Sequence, residues 1–398
     1  MIESLRSILG KQLRQFIHEY DLVLFAAMAI LAMVGVLMIY TATTPISDRL
    51  YGTSWVLLRN HAVHLVVGLG ALIVGLRVPY ARWERWVPVM LLLCLVLLIC
   101  VLIPGLGHQV GGARRWVRLG LFNFQPVELL KFVLVAYVAS YLDRKQDVLR
   151  QFFRGLAPNL VVMGVFLSMV VLQPDFGSVV LIAMSLLLMI FVGGGKPGHI
   201  FSSFVAFLVI GVYLISSQTY RSQRILAFLD PWQDRFDTGF QIVQSFLAFG
   251  TGGWLGAGLG DSRQKMFFLP DAHTDFIFAI LGEELGLMGV LAVMLLFAVF
   301  LWRGFSASLG CRSDFGKYLG FGITTVLALE VLLNLAVVMG IMPTKGLPLP
   351  LISYGGSSLV MSLFMTGVLL NIGRHLGGSN SSLDALAPRP SGVRDARG

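Results

Sequence analysis

Phe268-Leu269-Pro270-Asp271-Ala272-His273-Thr274-Asp275 closes the only long polar segment of the chain, and residues 276–302 follow it as one apolar run. About 20 apolar residues suffice to cross the hydrocarbon of a bilayer. The run therefore predicts a membrane helix, and Asp275 stands where that helix meets water. An acid at that boundary, in a protein that spends few charges, suits chemistry on a substrate whose tail lies in lipid and whose head lies in water.

The rest of the chain agrees with this reading. Hydrophobic residues make up 56% of it and charged residues 13%, with a mean hydropathy of +0.80. Its apolar runs are continuous over about 18 residues or more, whereas a membrane barrel needs ~10-residue segments of alternating polarity. The fold class is thus all-α, a polytopic membrane protein. We read ten spans, near 22–42, 61–77, 86–104, 126–142, 157–173, 176–193, 200–216, 276–302, 318–341 and 356–373, with one large loop over 217–274.

An even number of spans places both termini on one side. Basic residues mark that side as cytoplasmic: Arg6, Lys11 and Arg14 in the tail of residues 1–21, then Arg82 and Arg85, Arg144 to Arg154, Lys196, and Arg303 to Lys317. The 217–274 loop is then periplasmic. The first span has no cleavage site before it and reads as an anchor. Residues 376–398 are rich in Gly, Ser, Pro and Arg and are expected to be a disordered cytoplasmic tail. Cys94, Cys100 and Cys311 suggest neither a disulfide framework nor a metal site. The net charge of +9 resides largely in the inner loops, and no basic stripe with interleaved aromatics points to nucleic acid.

Some basic residues lie on the outer side instead. Arg221, Arg224, Arg235, Arg263 and Lys265 fall in the long loop, where translocated charge is tolerated. Arg114, Arg115 and Arg118 fall in a short loop, within Gly111-Gly112-Ala113-Arg114-Arg115-Trp116-Val117-Arg118. Guanidinium groups match phosphate oxygens bidentately, so that loop reads as an anion holder. Glu128 and Lys131 are three apart in a span and share a helix face, either as a self-contained pair or with Lys131 reaching the outer cavity. Asp175 in Gln173-Pro174-Asp175-Phe176-Gly177 repeats the pattern of Gln-Pro followed by an acid, and it reads as a helix cap, a substrate contact or both. Glu283 and Glu284 lie about two turns below Asp275 and are expected to pair internally with a lysine or near Glu330 and Asn334. His61, His64 and His273 lack the spacing of metal ligands.

These segments, together with Phe124-Gln125-Pro126-Val127-Glu128, Gly282-Glu283-Glu284-Leu285-Gly286 and Lys345-Gly346-Leu347-Pro348-Leu349-Pro350 with Ser353-Tyr354-Gly355-Gly356-Ser357-Ser358, resemble the SEDS family (shape, elongation, division and sporulation) in order and spacing. The resemblance covers most of residues 22–375 and is nearer the division-type branch than the elongation-type one. It implies a peptidoglycan glycosyltransferase of the bacterial inner membrane, enriched at the division septum, that polymerises lipid II. It further implies Asp275 as the catalytic acidic residue, acting as the base, with Arg115, Lys131 and Asp175 contacting substrate beside Arg114 and Glu128. Its implied partners are a class B penicillin-binding transpeptidase (FtsI) and the division regulators FtsQ, FtsL, FtsB and FtsN. Asp271 departs from the family, whose members often carry Glu there.

The chemistry fits these residues without the resemblance. Inverting glycosyl transfer needs a base for the attacking hydroxyl. A glycosidase needs a second carboxyl to protonate its leaving group, but a pyrophosphate leaves unprotonated where cations stabilise its charge. A divalent cation, Mg²⁺ or Mn²⁺, would share that work near Asp175. The rival reading is a transporter that flips lipid II, for which inverted repeats and midplane sites are the usual signs. The charges here gather on one face.

Overall fold

Ten helices occupy the ten apolar runs. The computed structural model describes residues 19–110, 113–119, 122–216, 228–233, 235–237, 239–266, 268–344 and 346–374. Residues 1–18 with Arg6, Lys11 and Arg14, the tail from 375 onward, Gly111 and Gly112, Arg221 and Arg224, and Lys345 lie outside the described residues.

The helices are α1 (Leu22–Tyr51), α2 (Val56–Arg77), α3 (Tyr80–Leu102), α4 (Pro126–Lys145), α5 (Ala157–Leu172), α6 (Phe176–Val192), α7 (Pro197–Ser216), α8 (Phe240–Gly252), α9 (Ile277–Leu309), α10 (Asp314–Val338) and α11 (Gly356–Gly373). Among the described residues seven stretches are long and apolar enough to cross a membrane: α1, α2, α3, α5 with the turn before it, α9, α10 and α11. Helices α6 and α7 are shorter apolar helices, and α4 carries charge in both its first and last turns. Those three complete the ten expected spans. Local chemistry sets their ends. The Asp21 carboxylate accepts from the amides of Val23 and Leu24, each at 3.1 Å, and starts α1. Pro126 takes the first turn of α4, where its missing N–H is not needed.

Helices α10 and α11 sit inside the bundle, while α2 and α3 turn much of their surface outward. Small residues let α2 and α11 touch: a Cβ on Gly75 would meet the Phe364 carbonyl oxygen at 2.5 Å, and one on Gly367 would meet that of Leu72 at 2.3 Å. Close backbone approach of this kind drives helix association where lipid leaves no hydrophobic force.

Three features differ from the sequence expectation. The short loop after α3 is a three-stranded antiparallel sheet, β1 (Gly107–Val110), β2 (Ala113–Leu119) and β3 (Phe122–Phe124), in the order β1-β2-β3. The long loop contains α8, which packs on the start of α9 and hydrogen-bonds α10 through Ser245 Oγ to the Val338 carbonyl at 2.7 Å.

The third difference is a break in α9 at Gly286, whose φ of 66° and ψ of −168° no helix contains. Residues 253–258 run beside the break and take over its hydrogen bonds. The amides of Ala257 and Gly258 donate to the carbonyls of Glu283 and Glu284 at 2.9 and 3.1 Å, while those of Leu287 and Met288 donate to Gly253 and Trp254 at 2.9 and 3.2 Å. Residues 287–309 alone are about 34 Å long at ~1.5 Å per residue, enough to cross the hydrocarbon. Glu283 and Glu284 lie about two turns past Asp275, as expected, in the last turn before the break.

Candidate active site

Asp275 is aimed by a tight turn. The Asp271 carbonyl accepts from the amides of Thr274, Asp275 and Phe276 at 3.1, 3.2 and 3.3 Å, and Asp271 itself sits at φ 53°, a left-handed conformation that Asp tolerates better than most residues. The N-cap of α9 is Phe276, with no side-chain cap. The Asp275 carbonyl accepts from Asn334 Nδ2 at 2.9 Å, and the same nitrogen donates to the Leu347 carbonyl at 2.7 Å. Asn334 lies about 30 Å from the start of α10 at ~1.5 Å per residue, so Asp275 sits at the far end of that helix.

Arg115 and Asp175 meet on the far side of the same end. Alternation along β2 turns Arg114 outward, where it is exposed, and Arg115 inward. Arg115 Nε donates to the Gln173 carbonyl at 3.1 Å, its Nη2 donates to the Pro174 carbonyl, and its Nη1 lies 4.0 Å from Asp175 Oδ1. Asp175 also caps α6, accepting from the Ser178 amide at 3.3 Å, and accepts from Gln125 Nε2 at 3.3 Å. The two Gln-Pro motifs are therefore joined through Gln125 and Asp175.

Residues 346–358 tie these pieces together. A Cβ on Gly346 would lie 3.2 Å from Asp275 Oδ2, and one on Gly177, beside Asp175, would meet the Leu347 side chain at 3.2 Å. The Gln125 amide donates to Ser357 Oγ at 3.0 Å, and Ser357 Oγ donates to the Asn123 carbonyl at 3.2 Å. The Tyr354 amide donates to the His273 carbonyl at 2.9 Å, and the Tyr354 ring lies 5.6 Å from that of His273 and 6.0 Å from that of His61. Burial holds the His273 imidazole below its ordinary value, with Asp271 opposing. The sequence offered Asn334 only as a neighbour for Glu283 and Glu284, and Gln125 and Ser357 only as motif members, because a lone amide or hydroxyl carries no signal until its partners are known.

Lys131 does not reach this cavity. Its side chain is 1% exposed and its amine donates to Glu128 at 2.8 Å and to Glu330. Burial is tolerable because the ion pairs replace water. Glu330 thus serves Lys131 and leaves Glu283 and Glu284 to others. Glu283 accepts from Ser262, from the amides of Arg263 and Gln264 at 3.0 and 3.2 Å and from Thr251 at 3.3 Å, while Glu284 pairs with Lys265 at 3.1 Å.

A resident cation at Asp175 does not fit the donors. Among the described residues no three His, Cys, Asp or Glu side chains gather closely enough to hold a metal, and the Asp175 oxygens are already matched to Arg115, Gln125 and the Ser178 amide.

A polytopic membrane protein with a half-buried carboxylate and a partly exposed guanidinium collected at one face is the class these features define. Residues 21–377 match the FtsW/RodA/SpoVE family, described as cell cycle protein. The chain belongs to that family, the SEDS proteins. It is 44% identical over 363 residues to the probable peptidoglycan glycosyltransferase FtsW of Geobacter sulfurreducens, covering 91% of this chain and 97% of the relative. It is 40% identical over 360 residues to stage V sporulation protein E of Bacillus subtilis, covering 89% and 97%. A chain of a peptidoglycan synthase complex that coordinates polymerization and crosslinking matches with a TM-score of 0.73 and 27% identity, over 89% of this chain and 98% of that one. The rod shape determining protein RodA of Thermus thermophilus matches with a TM-score of 0.65 and 27% identity, over 89% and 97%.

Proposed function

We propose that this chain is a peptidoglycan glycosyltransferase that polymerises lipid II on the outer face of the bacterial inner membrane during septal wall synthesis. The observation that carries the reading is the pairing of one carboxylate, Asp275, with a guanidinium site, Arg115, at one membrane boundary, bridged by residues 346–358. That inventory suits a reaction whose leaving group is a pyrophosphate.

In the proposed reaction Asp275 accepts the proton of the acceptor sugar hydroxyl as that oxygen attacks the anomeric carbon. A base must lie within hydrogen-bond reach of the proton it removes, and the three-amide turn at Asp271 together with Asn334 fixes the backbone from which the carboxylate reaches. The bond to the pyrophosphate breaks on the opposite face of the sugar. Arg115 retains donors beyond its two carbonyl contacts and supplies them to the charge that develops on the leaving oxygens. Arg114, exposed on the other face of β2, adds charge at the entrance. Asp175 positions Arg115, and the buried set of Lys131, Glu128 and Glu330 braces α4 against α10 behind it. The FtsI-type transpeptidase and the regulators FtsQ, FtsL, FtsB and FtsN are the partners this role calls for, with both termini in the cytoplasm.

Incubation of the purified protein with labelled lipid II, alone and with the transpeptidase, tests the reading. Glycan strands in detergent, where flipping has no meaning, are the expected product. Lipid II transfer across vesicles without any polymer would instead establish a transporter.

A further inference from the structure

A groove of about 540 Å³ opens toward the lipid between α1 and α2, away from the site described above. Its walls run from Phe25 to Val36 on α1 and from Leu65 to Leu76 on α2, and the buried Leu363 of α11 forms its floor. Each wall is about 16 Å long at ~1.5 Å per residue, half of a hydrocarbon core about 30 Å thick. Both walls begin within a turn of one end of the bundle. That end carries Arg77, Arg85, Arg144, Arg303 and Arg374, and positive loops mark the cytoplasmic side. The groove therefore spans the cytoplasmic leaflet and stops near the midplane.

Two guanidinium groups stand at its mouth. Arg77 follows Leu76 and lies four residues after Ile73, another lining residue, so it continues the same helix face. It is exposed and makes no ion pair among the described residues. Arg374 comes eleven residues after Leu363, three turns along the same face of α11. It lies 5.6 Å from the ring centre of Tyr20, and it pairs with Glu19 at 2.7 Å. The opening thus carries two cations, Arg77 and Arg374, and one acid, Glu19.

Lipid tails are as apolar as the leucines of the groove, so a tail alone gives no selectivity. Selection falls to the head group: guanidinium forks match phosphate oxygens in any phospholipid, and two cations favour a head group that adds no positive charge of its own. We propose that the groove holds one acyl chain of an anionic phospholipid from the cytoplasmic leaflet, with the lipid phosphate between Arg77 and Arg374. A leaflet-long slot and a cationic mouth fit a two-layer phospholipid. A substrate tail entering from the outer leaflet would meet neither.

Chain-labelled spin probes of phosphatidylglycerol and phosphatidylcholine, added to the full-length protein in phosphatidylcholine vesicles, test this by electron paramagnetic resonance. The expected result is a motionally restricted component with a preference for phosphatidylglycerol. Arg77→Gln lowers that preference about fivefold, the usual worth of one basic residue facing an anionic lipid, and Ala32→Trp, which fills the groove, removes it. Arg85→Gln, at the same end but off the groove, leaves it unchanged. Equal restriction of the two lipids by the wild type, an unaltered preference in Arg77→Gln, or an equal drop in Arg85→Gln overturns the proposal.

Discussion

Arg115 with Asp175 and Lys131 with Glu128 and Glu330 use the same pair of charges at two depths, and the depth decides what each can do. The Arg115 side chain is 28% exposed, is steered by two backbone carbonyls and stands 4.0 Å from its carboxylate. The Lys131 side chain is 1% exposed and is claimed by two carboxylates. An open cation with unspent donors can meet a ligand, whereas a closed set can only hold helices together. Glu128 and Asp175 each follow a Gln-Pro pair at the start of a helix, so the local motif does not separate the two sets. The partner supplied by α10, 199 residues away from Lys131, does.

The largest effect expected from breaking this contrast is on stability. Lys131→Ala leaves two carboxylates buried without their cation, and loss of one partner from a buried pair costs about 3–5 kcal/mol. Thermal unfolding in detergent should show that loss, and the double variant Lys131→Met with Glu330→Gln should recover part of it. A Lys131→Ala protein with normal stability but no polymerisation would move Lys131 into the substrate site.

Arg115→Ala should behave in the opposite way. A partly exposed pair contributes up to about 1 kcal/mol to stability, so unfolding should change little. Polymerisation should fall ~10²–10³-fold, the range seen when one donor to a developing anion is removed. Arg115→Lys should restore little, because an ammonium does not reproduce the fork that spans the Gln173 and Pro174 carbonyls.

A smaller effect concerns pH. Burial lowers His273 below its ordinary value of 6.5. Between the lowered and the ordinary value the unfolded chain binds a proton that the folded one does not. Stability is therefore full above about 6.5 and declines as pH falls below it. His273→Gln should flatten that decline when melting temperatures at about pH 7.5 and 5.5 are compared.

Much of this was legible in the sequence where the signal was local. The apolar run 356–373 matches α11 at both ends, and Pro126 and Asp175 announce the starts of α4 and α6. Strands of three, four and seven residues were not legible, since short runs carry weak β preference and the pairing of β2 with its neighbours decides them. Nor was the break at Gly286, because its hydrogen bonds come from residues 253–258. The place of Asp275 just before α9 was readable. Its support by Asn334 and Gly346 depends on contacts 59 and 71 residues distant in sequence, which no motif encodes.

The account rests above all on Asp275 as the base, and Asp275→Asn tests it most directly. Lipid II polymerisation and melting temperature should be measured on the same purified variant. The account predicts an unchanged melting temperature, because Asn keeps the side-chain size and the backbone contacts to Asp271 and Asn334 persist, with polymerisation lost. Near-normal glycan synthesis by the Asn variant would contradict it and remove Asp275 from the chemistry.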